Sequence, residues 1–459
     1  MTGALLAAFG GFLTGGSSGM AKETSMSFIE NGTIRVGVDL SIGGAVTHVS
    51  HVERSGNLIN SHDWGRQIQM SFYSGPHNYQ REGKRKAKHW GGFPWNPIQS
   101  GDSFGNGSRV LESRNTGTAL YVRSVPMLWP MDNDPGQCTF ETWIELEGST
   151  FRFRGRLNNR RGDTTQYRPF HQEVPAVYTN GVWHRLMTYV GERPFTDGPL
   201  TEVRKTAREP WPWSKWLASE SWAALVDETG WGIGVWHPGV YEYHGGFAGR
   251  RGSGGPKDGP TGYVSPMHTD VLDHDIVYEY SCVFVVGSLT GIRQYAREHN
   301  AQRPASLTWA FEADRQHWGI RNAVDGGWPI AGGIDVALDG RRATLDSPFV
   351  FWQADQTPTL RIRASFKTKG REARVFWRPY SAEIHTTASW NAWAASWWTE
   401  ERSVAMPVTN DGTMTDYVVN LGQSGAYRGA LCGLRIGFPE AVKEDSVRVE
   451  RISLERVGQ

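Results

Sequence analysis

Between residues 108 and 158 the sequence alternates apolar and polar residues in short segments that recur at intervals of about ten residues, as in antiparallel sheets. The segments are Thr118–Val125, Cys138–Glu147 and Thr150–Leu157. Such alternation gives each strand one buried face and one more polar face. Together with 55 glycines, which suit tight turns, this pattern predicts an all-β chain.

The length of the chain, 459 residues, is enough for two or three domains with cores of their own. Leu289–His299 has an apolar stripe at helical spacing and is one of few credible helices. The segment 301–304, Ala-Gln-Arg-Pro, follows it and marks a boundary. We expect a first domain over 27–300 and a second over 305–459, preceded by a flexible or signal-like segment over 1–26.

The composition favours some classes of ligand over others. Lys and Arg number 48 against 47 Asp and Glu, so no overall field attracts nucleic acid or a membrane surface. No apolar stretch reaches the roughly 20 residues that cross a bilayer. The 21 tryptophans point elsewhere, because an indole ring stacks well against the C–H face of a sugar.

The three cysteines, Cys138, Cys282 and Cys432, are far apart and lack metal-ligand spacing. They could form at most one disulfide within the chain, so no redox compartment follows from them. No other cluster has Ca²⁺ or Zn²⁺ spacing, and we expect neither a metal nor a cofactor.

The start of the sequence allows two locations. Ala4–Leu13 is a short apolar run followed by small residues, as in a signal peptide, but no Lys or Arg precedes it. Met20 could equally be the first residue of the protein. The first alternative predicts a secreted or periplasmic protein and the second a cytoplasmic one.

The segment Phe170–Tyr178 concentrates polar and ionisable groups in the sequence Phe-His-Gln-Glu-Val-Pro-Ala-Val-Tyr. Pro175 and the valines disfavour a helix, so we expect an extended strand. His171 and Glu173 then share one face, and Gln172, a candidate substrate contact, lies opposite. Either the polar residues simply face solvent, or Glu173 lines a cleft.

The segment 56–73 is a loop rich in Asn, Asp and Gly that runs into a strand. Such a loop can present Asp63, Arg66 and Gln67 at the edge of a sheet. These three side chains are therefore candidates for contact with a ligand.

The same segment carries a family resemblance. It follows a glycine-flanked hairpin over 33–51 and contains Asn-Leu-Ile-Asn at 57–60 and Asp-Trp-Gly-Arg at 63–66. In this order the features resemble the opening of galactose-mutarotase-like proteins, whose fold is shared by sugar epimerases, several glycoside hydrolases and domains of some polysaccharide lyases. The resemblance implies an N-terminal β-supersandwich with a saccharide site on its concave sheet face.

Two loops follow this segment. Residues 79–92 are basic, through Arg81, Lys84, Arg85, Lys86 and Lys88, and form either a solvated loop or a clamp for an acidic polymer. Trp90–Asp102 is shaped by prolines and glycines, and it either contacts a ligand or plugs one end of the sandwich. Its candidate contact residues are Trp95, Asn96, Gln99 and Asp102.

Residues 220–238 are expected to form a hairpin, with Asp227 and Glu228 as turn residues. Glu220, just before the first arm, is a candidate carboxylate, and Trp222 and Trp236 are candidate sugar contacts. Residues 245–262 hold eight glycines and are expected to form a loop.

From residue 306 onward the sequence resembles the jelly-roll, carbohydrate-binding-like modules that are often joined to glycan-degrading enzymes. The last segment, Val447–Leu454, alternates Val, Ile and Leu with Arg, Glu and Ser, as in a sheet with one buried face. The resemblance implies a C-terminal β-sandwich. Its tryptophans either bind sugar or brace the first domain, and they are Trp390, Trp393, Trp397 and Trp398.

The favoured function is a glycoside hydrolase that acts on a polysaccharide or oligosaccharide. Hydrolysis usually needs two carboxyl groups, one as acid and one as base or nucleophile. Glu173 is the first choice for the acid. Asp63, Asp102 and Glu220 compete for the other role, and His171 could orient or protonate.

Other functions remain open from the sequence. A polysaccharide lyase removes a proton beside a uronic carboxylate that a cation or amide neutralises, and a Tyr or His takes the proton. Tyr178, Tyr73, His171 and Arg66 could fill those roles. A non-catalytic glycan-binding protein and an epimerase-like enzyme are further alternatives.

Overall fold

The computed structural model describes residues 25–205, 212–302, 307–340 and 342–458, except for the side chains of 301–302. The strands that precede helix α1 (Leu289–Gln302) are β1 (Met26–Glu30), β2 (Ile34–Asp39), β3 (Ala45–His51), β4 (Gln69–Ser71), β5 (Pro97–Ile98), β6 (Arg109–Asn115), β7 (Ala119–Val125), β8 (Met127–Leu128), β9 (Cys138–Glu147), β10 (Thr150–Asn159), β11 (Phe170–Asn180), β12 (Arg185–Thr188), β13 (Thr201–Val203), β14 (Trp213–Leu217), β15 (Trp222–Val226), β16 (Trp231–Trp236), β17 (Glu242–Ala248), β18 (Thr261–Asp270) and β19 (Val277–Ser288).

Further strands follow the helix: β20 (Thr308–Ala310), β21 (Gly319–Arg321), β22 (Ala323–Asp325), β23 (Ile334–Asp339), β24 (Thr344–Asp346), β25 (Trp352–Gln353), β26 (Thr359–Lys367), β27 (Glu372–Pro379), β28 (Ser403–Pro407), β29 (Thr415–Asn420), β30 (Ala430–Gly437) and β31 (Lys443–Glu455). Helix α2 (Thr387–Ala395) lies between β27 and β28. Short 3₁₀ helices span Leu40–Ile42, Ala354–Gln356, Glu400–Arg402 and Leu421–Gln423. The predicted all-β class is confirmed.

Two large antiparallel sheets form the first part of the chain. One has nine strands in the order β13-β12-β15-β16-β19-β10-β9-β7-β6, and the other has seven in the order β14-β17-β18-β11-β4-β5-β8. A three-stranded sheet, β1-β2-β3, adds to them. The core contains residues of both large sheets, including Phe140, Phe153 and Phe284 from the first and Val177 and Val264 from the second.

Helix α1 packs on the nine-stranded sheet. Ile292 and Ala296 of the helix contact Trp222 and Trp236 of β15 and β16 in one buried cluster. The helix predicted at Leu289–His299 is therefore confirmed. The two tryptophans, which are predicted to be sugar contacts, are almost fully buried because the helix covers them.

The second part of the chain is a sandwich of two antiparallel sheets, which confirms the predicted C-terminal β-sandwich. One sheet has the order β22-β23-β31-β26-β29, with β20 beside β31, and the other has the order β21-β24-β30-β27-β28, with β25 beside β30. A separate apolar core fills the space between them. The predicted linker at 301–304 runs from the end of α1 into residues that lie outside the described ranges.

Two sequence-based expectations about this topology are wrong. Consecutive strands usually pair, which predicts β10 beside β11. Instead β10 pairs with β9 and β19, while β11 pairs with β18 and β4 in the opposite sheet. The glycines of residues 245–262 predict a loop over the whole segment. Instead its two ends belong to β17 and β18, which pair with each other as a hairpin.

The three cysteines are buried and free. Within the described ranges, no helix combines the length and the apolar character that a membrane crossing requires.

Candidate active site

A cavity of about 930 Å³ lies over one face of the seven-stranded sheet. Its floor consists of side chains from β4, β11, β17 and β18. Aromatic rings, which are half-buried, contribute to its wall: Trp90, Phe93, Trp129 and Trp213. The cavity therefore combines flat apolar surfaces with polar and ionisable groups, as saccharide sites do.

Glu173 is held in this cavity by two tyrosine hydroxyls. Its Oε2 accepts a hydrogen bond from the Tyr73 hydroxyl at 2.9 Å, and its Oε1 accepts a second bond from the Tyr263 hydroxyl. The ring of Tyr178 packs against that of Tyr263 with centroids 4.7 Å apart. A carboxylate and three phenols thus share one side of the cavity.

An irregularity in β11 brings these groups together. In a regular strand Glu173 and Tyr178 lie on opposite faces, because five residues separate them and side chains alternate. The pairing of β11 with β18 shifts register between Glu173 and Val177, as in a β-bulge. As a result His171, Glu173 and Tyr178 all line the cavity, which strict alternation would not allow.

The phenols of this group remain protonated at neutral pH. Burial, and then the negative charge of Glu173, raise the pKa of Tyr73, Tyr178 and Tyr263 well above the usual value near 10. A protonated phenol donates a hydrogen bond but cannot accept a proton from a substrate. Tyr73 and Tyr263 therefore act as donors toward Glu173, and none of the three phenols suits the role of a base.

Asp63 is a second carboxylate in the wall of the same cavity. Its Oδ2 lies 3.0 Å from Nε of Arg66, which also lines the cavity. The charges of Glu173 and Asp63 both contribute to the raised pKa of Tyr178, so this phenol lies within electrostatic reach of both carboxylates. Asp63, Glu173 and Arg66, which were all proposed from the sequence, are thus brought together.

His171 lies among other ionisable groups beside the cavity. Its Nδ1 is 3.2 Å from Nζ of Lys215, and its Nε2 is 3.4 Å from Oε1 of Glu242. Burial, and then the charges of Lys215 and Arg321, lower the pKa of His171 to about 3. Its imidazole is therefore neutral at neutral pH and can orient a substrate hydroxyl.

This low pKa predicts how stability depends on pH. The pKa of His171 is 6.5 in the unfolded chain and about 3 in the folded one. At a pH between these two values the imidazole takes up a proton in the unfolded chain but not in the folded one. Stability from this group is thus present above pH 6.5 and is lost as the pH falls toward 3. We expect His171→Gln to show a weaker loss of stability with acid than the wild type in urea unfolding at several pH values. The control is His62→Gln. If the unfolding free energy of His171→Gln depended on pH as steeply as that of this control and of the wild type, the low pKa of His171 would be contradicted.

Asp102 and Glu220 are remote from this chemistry. Asp102 is 1% exposed, and its oxygens accept hydrogen bonds from the backbone N–H groups of Phe104, Asn106 and Asn133, so it shapes a loop. Glu220 is also 1% exposed and is ion-paired with Arg293 of α1. Neither lines the cavity, so the structure does not bring these two predicted carboxylates together with Glu173.

Most of the amides predicted to contact a ligand instead bond to the backbone. Gln172, for example, accepts from the Tyr73 N–H at 2.8 Å and donates to the Tyr73 carbonyl at 2.9 Å. The predicted contact residues that are buried and outside the cavity wall are Gln67, Trp95, Gln99 and Gln172. Asn96 is buried too, but it does border the cavity.

The basic loop over 79–92 is tied to a neighbouring acidic loop. Arg81 contacts Asp134 at 2.6 Å, and Arg85 contacts Asp132 at 2.8 Å. These ion pairs occupy both guanidinium groups, which favours the structural alternative over a clamp for an acidic polymer. Further along the same loop, Trp90 and Phe93 do line the cavity.

Several cavity residues escaped the sequence analysis. They are Trp213 on β14, His244 on β17, Tyr263 on β18, and Arg321 at the end of β21. Lys215 of β14 does not line the cavity but contacts His171, which does. The alternation of Tyr263 with glycine and valine is a strand signal. It was hidden because the many glycines of residues 245–262 predicted a loop.

A second cavity of about 600 Å³ adjoins the first. The two share five lining residues, namely Pro169, His171, Met267, Thr269 and Arg321. The second part of the chain contributes Trp390, Trp397 and Trp398 to its wall. Trp390 also belongs to a buried cluster with Leu217 of β14, so this ring braces the first part as well.

Comparisons with known proteins address the fold. No family model matches the chain, and no curated protein matches it in sequence. A solved galactose mutarotase-like protein from Lactobacillus casei is 13% identical, with a TM-score of 0.36, and the match covers 57% of this chain and 99% of that one. For a galactose mutarotase related enzyme from Lactobacillus acidophilus the values are 12%, 0.38, 57% and 98%. For an α-galactosidase from Geobacillus stearothermophilus they are 11%, 0.34, 59% and 41%.

Proposed function

We propose that this protein is a carbohydrate-active enzyme that hydrolyses a glycosidic bond of a polysaccharide or oligosaccharide in the larger cavity. The observation that carries the proposal is the carboxylate of Glu173, held at the cavity surface by two phenol donors with Asp63 in the same wall. Two carboxyl groups in one aromatic-lined cavity are what hydrolysis of a glycoside requires.

The hydrogen bonds suggest how the two carboxyl groups divide the work. Two O–H donors stabilise an ionised carboxylate, and this suits Glu173 as the base or nucleophile. The sequence alone favours this residue as the acid, whereas its two donors favour the opposite role. Asp63 is then the second carboxyl group of the pair, and its contact with Arg66 at 3.0 Å fixes its position in the wall.

The surroundings suit a chain of sugars. Half-buried rings of Trp90, Phe93, Trp129 and Trp213 offer faces on which sugar rings can stack. The adjoining second cavity extends the surface beyond one sugar unit, toward the tryptophans of the second part. We therefore favour an oligosaccharide or polysaccharide over a free monosaccharide, which argues against an epimerase.

A lyase that acts on an acidic polymer is the second candidate, because three arginines line the cavity: Arg66, Arg168 and Arg321. They could neutralise a uronic carboxylate. The protonated phenols argue against a lyase, because a tyrosine that acts as the base must first lose its proton. His171, with its pKa of about 3, is a weak base for the same step.

The phenol pKa values give a test of this choice. For a tyrosine base, kcat/KM would rise with pH as the phenol ionised. A tyrosine base with a pKa raised well above 10 would make kcat/KM rise about tenfold per pH unit between about pH 7 and about pH 10. Because the proposed hydrolysis uses Glu173 and not a tyrosine as the base, we expect no such rise. A pH–rate profile measures this directly, and a rise that is abolished by Tyr178→Phe or Tyr263→Phe would favour the lyase.

The products provide the primary experiment. Wild-type protein and Glu173→Gln are incubated with a panel of neutral and acidic polysaccharides. We expect the wild type to release reducing ends without the ultraviolet absorbance of a new carbon–carbon double bond. Absorbance together with reducing ends would select the lyase. Binding of a polysaccharide without any new reducing end would select a glycan-binding protein.

A further inference from the structure

Three metal-binding side chains converge at the junction of the two parts of the chain. His268 and Asp270 lie on β18, and His317 lies in the turn just before β21. Each offers one ligand atom, and these atoms all lie within 4.8 Å of one another. Both histidines border the cavity of about 600 Å³, so an ion in solution can reach them.

The distances within this cluster fit a bound cation. Nδ1 of His317 lies 3.0 Å from Oδ1 of Asp270, and Nδ1 of His268 lies 3.8 Å from Oδ2. Ligands bonded at about 2.1 Å to a tetrahedral ion are separated by about 3.4 Å, which is close to the 3.0 Å between His317 Nδ1 and Asp270 Oδ1. The two imidazole centroids are only 3.8 Å apart. Small side-chain rotations would place all three donors on one ion.

Neighbouring residues support the cluster. The Tyr278 hydroxyl donates to Asp270 Oδ2 at 2.5 Å and lies 2.9 Å from Nδ1 of His268, so it orients both groups and leaves Oδ1 of Asp270 and Nε2 of His268 as their atoms for an ion. Hydrogen bonds of this kind, from a neighbouring group to a ligand, orient the carboxylates and imidazoles of metal sites.

A further imidazole lies next to the cluster. His237 is 4% exposed, and neither of its ring nitrogens has a hydrogen-bond partner among the described residues. Its ring packs edge-on against that of His268, with centroids 5.4 Å apart. Burial of an imidazole without a hydrogen-bond partner costs free energy of folding. A cation bound nearby would give one of the ring nitrogens of His237 a partner.

We propose that His268, Asp270 and His317 bind a divalent transition-metal ion, and that this ion fastens the second part of the chain to the first. Two imidazoles and a carboxylate suit zinc and its neighbours better than calcium or magnesium, which prefer oxygen ligands. The site spans the junction because His317 follows α1 in the sequence while β18 precedes it.

Ion pairs already reinforce the same junction. Arg315, two residues before His317, contacts Asp273 at 2.6 Å and Asp325 at 2.6 Å. Asp273 follows β18, and Asp325 ends β22. The turn that carries His317 is thus anchored to the first part, and a metal ion would add a second fastening close by.

The metal cluster and Glu173 lie on different faces of the seven-stranded sheet. Glu173 pairs in register with Met267, which lines the larger cavity, whereas His268 pairs with the buried Gln172. Side chains on neighbouring positions of β18 point to opposite faces. Zinc content and Tm are measured without any substrate, so the loss of one proposal would leave the other intact.

Zinc content and thermal stability test the proposal. After treatment with a chelator and exposure to zinc, followed by dialysis, we expect about one zinc ion per wild-type chain. We also expect Tm to rise by about 5 °C at zinc concentrations a hundredfold above Kd. His317→Gln and Asp270→Asn should weaken zinc binding by about a hundredfold or more and abolish the Tm shift.

The control is His184→Gln. His184 also contacts a carboxylate, that of Glu228 at 3.0 Å, but it does not belong to the metal cluster. It should bind zinc as the wild type does. If the cluster variants fail to fold, a reversible fall of the wild-type Tm on chelation still supports the proposal. Zinc binding that is equal in wild type and His317→Gln, or a wild-type Tm that zinc does not change, would overturn it.

Discussion

Glu173→Gln is expected to lower kcat on a cleavable polysaccharide by about 10³-fold with little change in stability. Glutamine keeps the size of the side chain, and its carbonyl oxygen can still accept a hydrogen bond from Tyr73 or Tyr263. It carries no negative charge and cannot attack a sugar or take a proton from water. The loss should therefore appear in kcat much more than in KM.

Initial rates of reducing-end release, measured over a range of substrate concentrations, separate these two parameters. The matched control is Glu112→Gln, since Glu112 lies on the edge strand β6 of the other sheet, has a side chain that is 41% exposed, and does not line the cavity. It should keep wild-type kinetics. A Glu173→Gln protein that retains wild-type kcat would remove this residue from the mechanism.

Glu220→Gln is expected to destabilise the protein by about 3–5 kcal/mol, because it leaves a largely buried guanidinium without its counter-ion. Glu220 accepts two hydrogen bonds from Arg293, at 3.0 and 2.8 Å, and others from the Trp222 indole and the Phe195 backbone. This network fastens α1 to the nine-stranded sheet. Its loss should loosen the helix and leave the chemistry in the cavity unchanged.

Urea unfolding monitored by tryptophan fluorescence measures the change. The double variant Glu220→Gln with Arg293→Met tests the cause, because removal of both charges should cost less than the sum of the single variants. Folded Glu220→Gln protein should keep its kcat. Full stability combined with lost activity would instead return Glu220 to the list of catalytic candidates.

Local elements of the fold could be predicted because their signals are local. The alternation in Cys138–Glu147 and the helical stripe at Ile292 and Ala296 both depend on residues that are close in the sequence. Each predicted element has nearly the observed bounds. The partner of a strand is a different matter, since it depends on contacts made across the whole chain.

The site illustrates the same limit. Glu173 and His171 were predicted on one face of a strand, and both line the cavity. That Tyr178 joins them depends on a register shift against β18, which no pattern within Phe170–Tyr178 reveals. Tyr263 comes from the paired strand, and it could be assigned only once that pairing was known.

Polar residues caused the other errors. Asn and Gln in loops suggested ligand contacts, but an amide can equally satisfy buried backbone groups. Gln99, for instance, donates to the carbonyls of Gly43 and Gly44 and accepts from the Met70 N–H. In a sequence the two uses are identical, because they differ only in what surrounds the side chain.

The central claim, that the carboxylate at position 173 performs the reaction, has a direct test in chemical rescue of Glu173→Ala. The truncation leaves space beside Tyr73 and Tyr263 for a small carboxylate such as formate. The account predicts that added formate restores cleavage in a saturable way, while equal concentrations of chloride do not. A Glu173→Ala protein that folds normally and is either fully active without formate or unaffected by it would contradict the account.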